Sequence, residues 1–236
     1  MNRLETRLNQ QRPAIAVPIT ETVTDEVIAD IPNYCDVFEL RVDKFSDTSI
    51  ECLTQKAEQL GALLPVILTM RTQSEGGDWS DQEDDRQLEV AQEMITMVDG
   101  VDTRIYSTVA PAIVKLAKAH KKTPIGSYHN LTETPLPNNL KHVVHRARRL
   151  GVHFCKIATM AKKQEELERL TEVVINANGT KMIAVAMGEF GPVSRIALPL
   201  LGSKLTFASA DANAVVPGQL GYRETRAILD TVSPYR

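Results

Sequence analysis

The sequence has few of the features that mark secreted, metal-bound or membrane proteins. Its three cysteines, Cys35, Cys52 and Cys155, are odd in number and have no Cys-x-x-Cys spacing. This argues against a disulfide framework or a zinc ribbon and favours a reducing compartment. No run approaches 18 consecutive apolar residues, and the N-terminus has no apolar signal core. We therefore expect a cytoplasmic protein without a membrane span.

The chain also lacks a large excess of charge of either sign. Its 236 residues include 27 Lys and Arg and 30 Asp and Glu, a net charge of −3, which argues against nucleic acid as the main partner. A hydrophobic content of 43% allows a sizeable core and excludes a disordered chain. No low-complexity or linker-like segment divides the sequence, so we expect residues 1–236 to form a single domain.

Short apolar runs recur along the chain, each followed by a longer amphipathic or charged segment. This alternation is typical of buried parallel strands joined by crossover helices. Eight such units predict an α/β fold, a single (β/α)8 TIM barrel. An open doubly wound sheet is the main alternative, although no Gly-x-Gly-x-x-Gly follows the first run. The runs cover residues 14–19, 36–42, 65–70, 101–106, 124–128, 154–160, 182–187 and 205–208.

Helical patterns lie between these runs. Ser80, with Glu83 three residues later, predicts an N-cap and a helix that continues to about residue 98. Further helices are predicted over residues 140–150, 162–177 and 218–232, with a shorter, proline-bounded helix over 191–201.

Reactive side chains concentrate at or after the ends of the predicted strands, where this fold places active sites. Alternation along a strand would put Glu39, Arg41 and Asp43 on one side. Arginines at the strand ends predict an electropositive binding site for a small carboxylate or phosphate. Alternatively, they form structural salt bridges with neighbouring acidic residues. The strand-end residues are Glu39, Arg41, Asp43, Arg71, Glu75, His129, Met187 and Arg195.

Two residues point to covalent and acid–base chemistry. Lys156 interrupts an apolar run, where desolvation and nearby cations would favour a neutral amine able to attack a ketone. The alternative is a lysine paired with a carboxylate inside the barrel. His129 follows the fifth run and is suited to act as a general base near neutral pH, or is a structural histidine at a strand end.

The sequence gives no reason to expect a metal site. His142 and His145 have a spacing that could mimic a metal-binding pair on a helix. Basic residues surround them, and cations disfavour a bound metal. A solvated basic face is the simpler interpretation, and we expect no metal.

Motifs along nearly the whole chain resemble those of the type I 3-dehydroquinase family, the Schiff-base dehydratases of the shikimate pathway. Each motif is weak by itself, but their shared order makes the resemblance specific. They lie at residues 39–43; 69–72 with 75–77; 127–130 with 134–135; 156–158 with 160; 187–188 with 191 and 193–195; 206–208; and 217–219.

The resemblance implies a lyase that dehydrates 3-dehydroquinate to 3-dehydroshikimate in aromatic amino acid biosynthesis. Lys156 would form the imine with the substrate ketone. His129 would remove the adjacent proton and protonate the departing hydroxyl, and Glu75 would orient His129. Arg195 would hold the substrate carboxylate. The residues implied in substrate binding are Glu39, Arg41, Arg71, Met187, Arg195 and Gln219. The family needs no cofactor or metal, and its members are commonly homodimers.

The chain departs from the family pattern at two places. Val215 and Val216 precede the motif that ends in Gln219, where the family usually has Ser-Ala, so a hydroxyl that helps to bind substrate is missing. On the fourth strand the usual Asp-x-Glu becomes Asp102-Thr103-Arg104. Arg104 would change the charge around Lys156 or pair with Glu75 or Glu39.

Two other functions remain open on the sequence. An aldolase acting on a sugar phosphate would also use a Schiff-base lysine in a barrel, but the loop containing Glu189 is a poor phosphate cradle. A non-catalytic barrel that binds a pathway metabolite is supported only by the two valines before Gln219.

Overall fold

The computed structural model describes residues 1–210 and 218–233. In this part of the chain, eight parallel strands form one sheet. The strands are Ala14–Ile19 (β1), Val37–Arg41 (β2), Val66–Thr69 (β3), Gly100–Arg104 (β4), Thr123–Asn130 (β5), Phe154–Met160 (β6), Met182–Met187 (β7) and Leu205–Phe207 (β8).

Helices follow the strands on the outside of the sheet. None of the described helices is long and apolar enough to cross a membrane. The helices are Arg3–Leu8 (α1), Asp25–Asp30 (α2), Ile50–Gly61 (α3), Asp84–Met94 (α4), Ala110–Ala119 (α5), Pro137–Leu150 (α6), Gln164–Ile175 (α7), Gly191–Leu200 (α8) and Tyr222–Val232 (α9).

The sheet curves into a near-closed barrel. Its strand order runs from β7 down to β1 and then to β8, so the last two strands meet at the seam. Lys204 N donates to Met182 O at 2.8 Å, and Ala184 N donates to the Ser203 hydroxyl at 2.9 Å across this seam. The predicted TIM-barrel fold is therefore confirmed, and each predicted run overlaps one of these strands.

The predicted start of α4 is wrong. The helix begins at Asp84, after an N-cap at Glu83, three residues later than the pattern of Ser80 and Glu83 suggests. Glu83 Oε2 accepts from Ser80 N at 2.9 Å, and the Ser80 hydroxyl accepts from Gln82 N at 3.2 Å. These side chains close a turn before the helix instead of capping it. The last helix also begins later than predicted, at Tyr222.

Helix α1 closes the N-terminal end of the barrel. Leu4 and Leu8 are buried among inward-facing strand residues, including Ile67 and Phe154. Asn2 caps the helix: its side chain accepts from Glu5 N at 2.9 Å and donates to Asp99 O at 2.8 Å. The opposite, C-terminal end of the barrel remains available for a functional site.

Replacing Leu4 with alanine is expected to lower the free energy of unfolding by about 2–5 kcal/mol. Leu4 is fully buried against the barrel interior, and the smaller side chain would leave a cavity that rigid strands cannot fill. Chemical denaturation measures the change. Leu63→Ala is the control, because Leu63 is 46% exposed. An equal effect of both substitutions would contradict the assigned role of α1.

Candidate active site

A cavity of about 160 Å³ opens at the C-terminal end of the barrel. Its walls come from several strands and the loops that follow them. All nine side chains predicted to form a site border this one cavity: Glu39, Arg41, Arg71, Glu75, His129, Lys156, Met187, Arg195 and Gln219. The apolar part of the wall includes Pro18, Leu131, Ala158, Met160, Val185 and Phe207.

Lys156 lies in β6 and borders this cavity. Strand alternation turns Lys156, Ala158 and Met160 towards the cavity. The Lys156 Nζ atom is 3.1 Å from Glu39 Oε1 and 3.1 Å from Asp102 Oδ2. The carboxylate-paired alternative therefore describes the direct contacts of Lys156, and Arg71, which shares Asp102 Oδ2 with it, is a nearby cation. The two carboxylates hold Nζ at the cavity wall.

Arg71 organises the acidic side of the site. Its Nη1 atom donates to Glu75 Oε2 at 2.7 Å and to the Ser127 hydroxyl at 2.8 Å, while Nη2 donates to Asp102 Oδ2 at 2.8 Å. Burial disfavours its charge, but Asp102, Glu75 and Glu39 outweigh burial and raise the pKa of Arg71. Arg71 thus stays charged and fixes both carboxylates.

Asp102 is a site residue that the sequence-based selection omitted. It is 3% exposed and accepts from the Ser127 hydroxyl at 2.5 Å as well as from Lys156 and Arg71. Burial raises its pKa, but Arg71 and Lys156 outweigh this and lower the pKa of Asp102 well below its usual value. Like Lys156, it is a charged residue within a predicted buried strand, and this signal could have identified it.

His129 is positioned to act as a neutral base. Its Nδ1 atom lies 3.3 Å from Glu75 Oε2, and its backbone N–H donates to Glu75 Oε1 at 3.1 Å. Burial and the charge of Arg71 lower the pKa of His129, and Glu75 only partly opposes them. A carboxylate facing Nδ1 favours the tautomer that carries its proton there. The Nε2 lone pair is then free to take a proton from a substrate.

Two glycines place Glu75 within reach of His129. Glu75 ends the one-turn 3-10 helix Gln73–Glu75, and Gly76 follows in the left-handed conformation with φ of 82°. A Cβ atom on Gly77 would clash with the backbone oxygen of Arg71. The loop can therefore pack against Arg71 only with glycine at this position.

Arg41 and Asp43 form a buried pair. Arg41 Nε donates to Asp43 Oδ1 at 2.8 Å, and Nη2 donates to Asp43 Oδ2 at 2.6 Å. The expectation that Glu39, Arg41 and Asp43 continue along one strand face is wrong for Asp43, because β2 ends at Arg41 and Asp43 lies in the one-turn helix Val42–Lys44. Asp43 instead holds Arg41 at the cavity, beside Glu39.

Arg195 differs from the other arginines of the site. It is 1% exposed, and its Nε atom donates to Gly218 O at 3.0 Å. Among the described residues, its Nη1 atom has no hydrogen-bond partner. Burial lowers the pKa of Arg195 to about 10, which leaves it charged at neutral pH. A buried cation with an open donor is suited to bind an anion, such as a carboxylate.

The two departures from the expected motifs have different outcomes. Val215 and Val216 lie outside the described residues. Arg104 pairs with neither Glu75 nor Glu39: its Nη1 atom contacts Asp81 Oδ1 at 2.9 Å, and Nη2 lies 3.6 Å from Asp84 Oδ1. Arg104 is therefore directed towards the loop before α4 and away from Lys156.

The chain is similar to known dehydratases over almost its whole length. The family model described as "Type I 3-dehydroquinase" matches residues 15–235. A 3-dehydroquinate dehydratase of Hydrogenobaculum sp. is 35% identical over 215 residues, covering 89% of this chain and 94% of the relative.

Solved structures agree with this match. The crystal structure of the 3-dehydroquinate dehydratase from Aquifex aeolicus VF5 has a TM-score of 0.85 and 31% identity, covering 94% of this chain and 99% of that chain. A type I 3-dehydroquinate dehydratase from Clostridium difficile with covalently modified comenic acid has a TM-score of 0.84 and 25% identity, with coverages of 95% and 93%.

Proposed function

The chain belongs to the type I 3-dehydroquinase family and is a 3-dehydroquinate dehydratase, a hydro-lyase of the shikimate pathway that works through a Schiff base; on this basis we propose roles for its site residues. Lys156 forms the imine, His129 transfers the proton, and Glu75 orients His129. The observation that carries this assignment is that Lys156, His129 and Arg195 border one cavity. The reaction requires an amine, a base and a carboxylate-binding cation.

The first step joins Lys156 to the substrate ketone. The Lys156 ammonium first loses a proton to solvent, while Glu39 and Asp102, each 3.1 Å from Nζ, hold the nitrogen in place. The free amine attacks the carbonyl carbon, and the carbonyl oxygen leaves as water after it takes one proton from the amine and one from solvent. The resulting protonated imine withdraws electrons from the adjacent carbon, which makes the C–H bond there more acidic.

The second step removes water from the ring. The neutral His129 imidazole takes the proton from the carbon beside the imine, and the electron pair forms an enamine. The enamine expels the hydroxyl group at the next carbon, which the protonated His129 converts to water. Hydrolysis of the conjugated imine then releases the product and regenerates Lys156. Glu75 stabilises the imidazolium that exists between the two proton transfers.

The remaining residues bind and orient the substrate. Arg195 binds its carboxylate with help from Gln219, and Met187 forms an apolar wall. Glu39, Arg41 and Arg71 hold the ring hydroxyl groups. Fixed donors and acceptors of this kind keep the reacting carbon beside His129, which is the contribution of orientation to the rate.

Assembly and location are also proposals. We propose that residues 1–236 act as one barrel domain, that two copies form a homodimer as the family resemblance implies, and that the enzyme is cytoplasmic and needs no cofactor or metal. Because the chain belongs to this family, dehydration of 3-dehydroquinate explains the buried Lys156 better than a sugar-phosphate aldolase or a metabolite-binding barrel does.

Turnover of 3-dehydroquinate by the Arg195→Met variant tests the assigned substrate pose. The wild-type protein is expected to convert 3-dehydroquinate into a conjugated enone. The ultraviolet absorbance of this enone measures the rate. Loss of a charge-assisted interaction worth about 1.5–3 kcal/mol predicts a KM about 10–100-fold higher. Arg149→Met, on the exposed surface of α6, is the control. An unchanged KM for Arg195→Met would contradict the pose.

A further inference from the structure

We propose that Arg104 is a positioning residue, which holds the loop carrying Glu75 in the conformation that orients His129. The inference rests on the roles proposed above for Glu75 and His129. It concerns a position where this chain has arginine, and Arg104 does not border the cavity.

A chain of contacts leads from Arg104 to the loop. The Arg104 Nη1 atom donates to Asp81 Oδ1 at 2.9 Å and lies 3.4 Å from the Ser74 hydroxyl. Asp81 in turn accepts from the Ser74 hydroxyl at 2.5 Å and from Ser74 N at 3.0 Å. Arg104 therefore holds the carboxylate that fixes both the backbone and the side chain of Ser74.

Ser74 is the residue directly before Glu75, and both belong to the one-turn helix Gln73–Glu75. The loop is closed behind them, because Gln73 N donates to Trp79 O at 2.8 Å. The position of Ser74 thus sets where the Glu75 backbone begins. From there the Glu75 carboxylate contacts His129 twice: Oε2 lies 3.3 Å from Nδ1, and Oε1 accepts from the backbone N–H at 3.1 Å.

Asp84, the second carboxylate near Arg104, links the same guanidinium to the loop that contains Thr108. Asp84 Oδ2 accepts from the backbone N–H and the hydroxyl of Thr108, at 3.0 Å and 2.7 Å. Its Oδ1 atom faces Arg104 Nη2 at 3.6 Å. One planar guanidinium thus spans two carboxylates and a hydroxyl, a geometry that the single ammonium of a lysine does not reproduce.

These contacts predict an effect on proton transfer more than on folding. Arg104 is 21% exposed and Asp81 is 36% exposed, so the pair itself is worth little stability. Misplacement of a catalytic group by about 1 Å, in contrast, can cost on the order of 10²-fold in rate. A small shift of Ser74 would move Glu75 away from His129 and leave Lys156 in place.

The Arg104→Met variant tests this inference. We expect kcat to fall about tenfold or more, KM to stay within about twofold, and borohydride to trap as much imine on Lys156 as in the wild type. We also expect the acid limb of the kcat–pH profile to move to lower pH. Among the charges facing His129, Arg71 and Lys156 lower its pKa, whereas Glu75 and Asp102 oppose them, so moving Glu75 away lowers the pKa. Arg86→Met is the matched control, since Arg86 also pairs with a carboxylate on α4.

The outcomes separate this inference from the proposed function. Wild-type kcat and an unchanged acid limb in Arg104→Met would overturn the positioning role, as would a parallel loss of imine formation and turnover in folded protein. If Arg104→Met does not fold, Asp81→Asn is expected to give the same selective loss of kcat, and an unchanged kcat there would overturn the role. Failure of the wild-type protein itself to form an imine on Lys156 would contradict the proposed function instead.

Discussion

The Lys156→Ala variant is expected to form no imine and to lose turnover by on the order of 10⁴-fold or more. Without the amine, the ketone remains a poor electron sink, and the adjacent proton is too weakly acidic for a neutral imidazole to remove quickly. Steady-state kinetics with 3-dehydroquinate measures the loss. The expectation depends on the placement of Nζ at the cavity wall, 3.1 Å from each of two carboxylates.

Two further variants show whether the loss is chemical. Removing the Lys156 charge leaves Glu39 and Asp102 less well neutralised, which lowers stability in a buried site. The turnover of Lys156→Ala and of Lys156→Met is therefore measured at a temperature where both variants remain folded. Lys162→Ala, an exposed lysine just beyond β6, should keep wild-type turnover. Turnover of Lys156→Met or Lys156→Ala within tenfold of the wild type would contradict the imine mechanism.

Replacing His129 with alanine is expected to slow turnover by about 10²–10⁴-fold while the imine still forms. The imine depends on Lys156, whereas the later proton transfers depend on His129. Borohydride trapping and steady-state kinetics on the same preparation separate the two steps. His142→Ala, on α6, is the control. A His129→Ala variant that formed no imine, although folded, would contradict this division of roles.

The same assignment predicts the pH dependence of the wild-type enzyme. His129 acts as a base only when it is neutral, so kcat should fall as the pH drops through its pKa. Burial and Arg71 lower that pKa below the usual value of 6.5. Activity should therefore persist into mildly acidic solution and reach its plateau above that range. The His129→Ala variant should lose this acid limb of the profile.

Much of the fold follows from the sequence because parallel barrels have a simple pattern. The strands of this barrel are buried on both faces, so most of them lie in short, largely apolar runs that stand out from the helices. The cavity residues could be predicted for a related reason: polar side chains such as Arg41 and His129 stand at or near the strand ends, which all meet at one end of the barrel.

The pairing of these charges could not be predicted from the sequence. Lys156 contacts Glu39 and Asp102, which are far from it in the chain, and alternation along a strand shows which way a side chain points but not what it meets. The start of α4 shows a similar limit, because Ser80 and Glu83 match a capping pattern yet bond to form a turn. The contact between Arg104 and Asp81 likewise depends on how the loop between them folds, which the sequence pattern does not show.

The central claim is that Lys156 forms the covalent intermediate. The most direct test is the intact mass of the wild-type protein after incubation with 3-dehydroquinate and sodium borohydride, followed by peptide mapping. The account predicts one reduced adduct per chain, located on Lys156. No adduct on folded, active protein, or an adduct confined to another lysine, would contradict it.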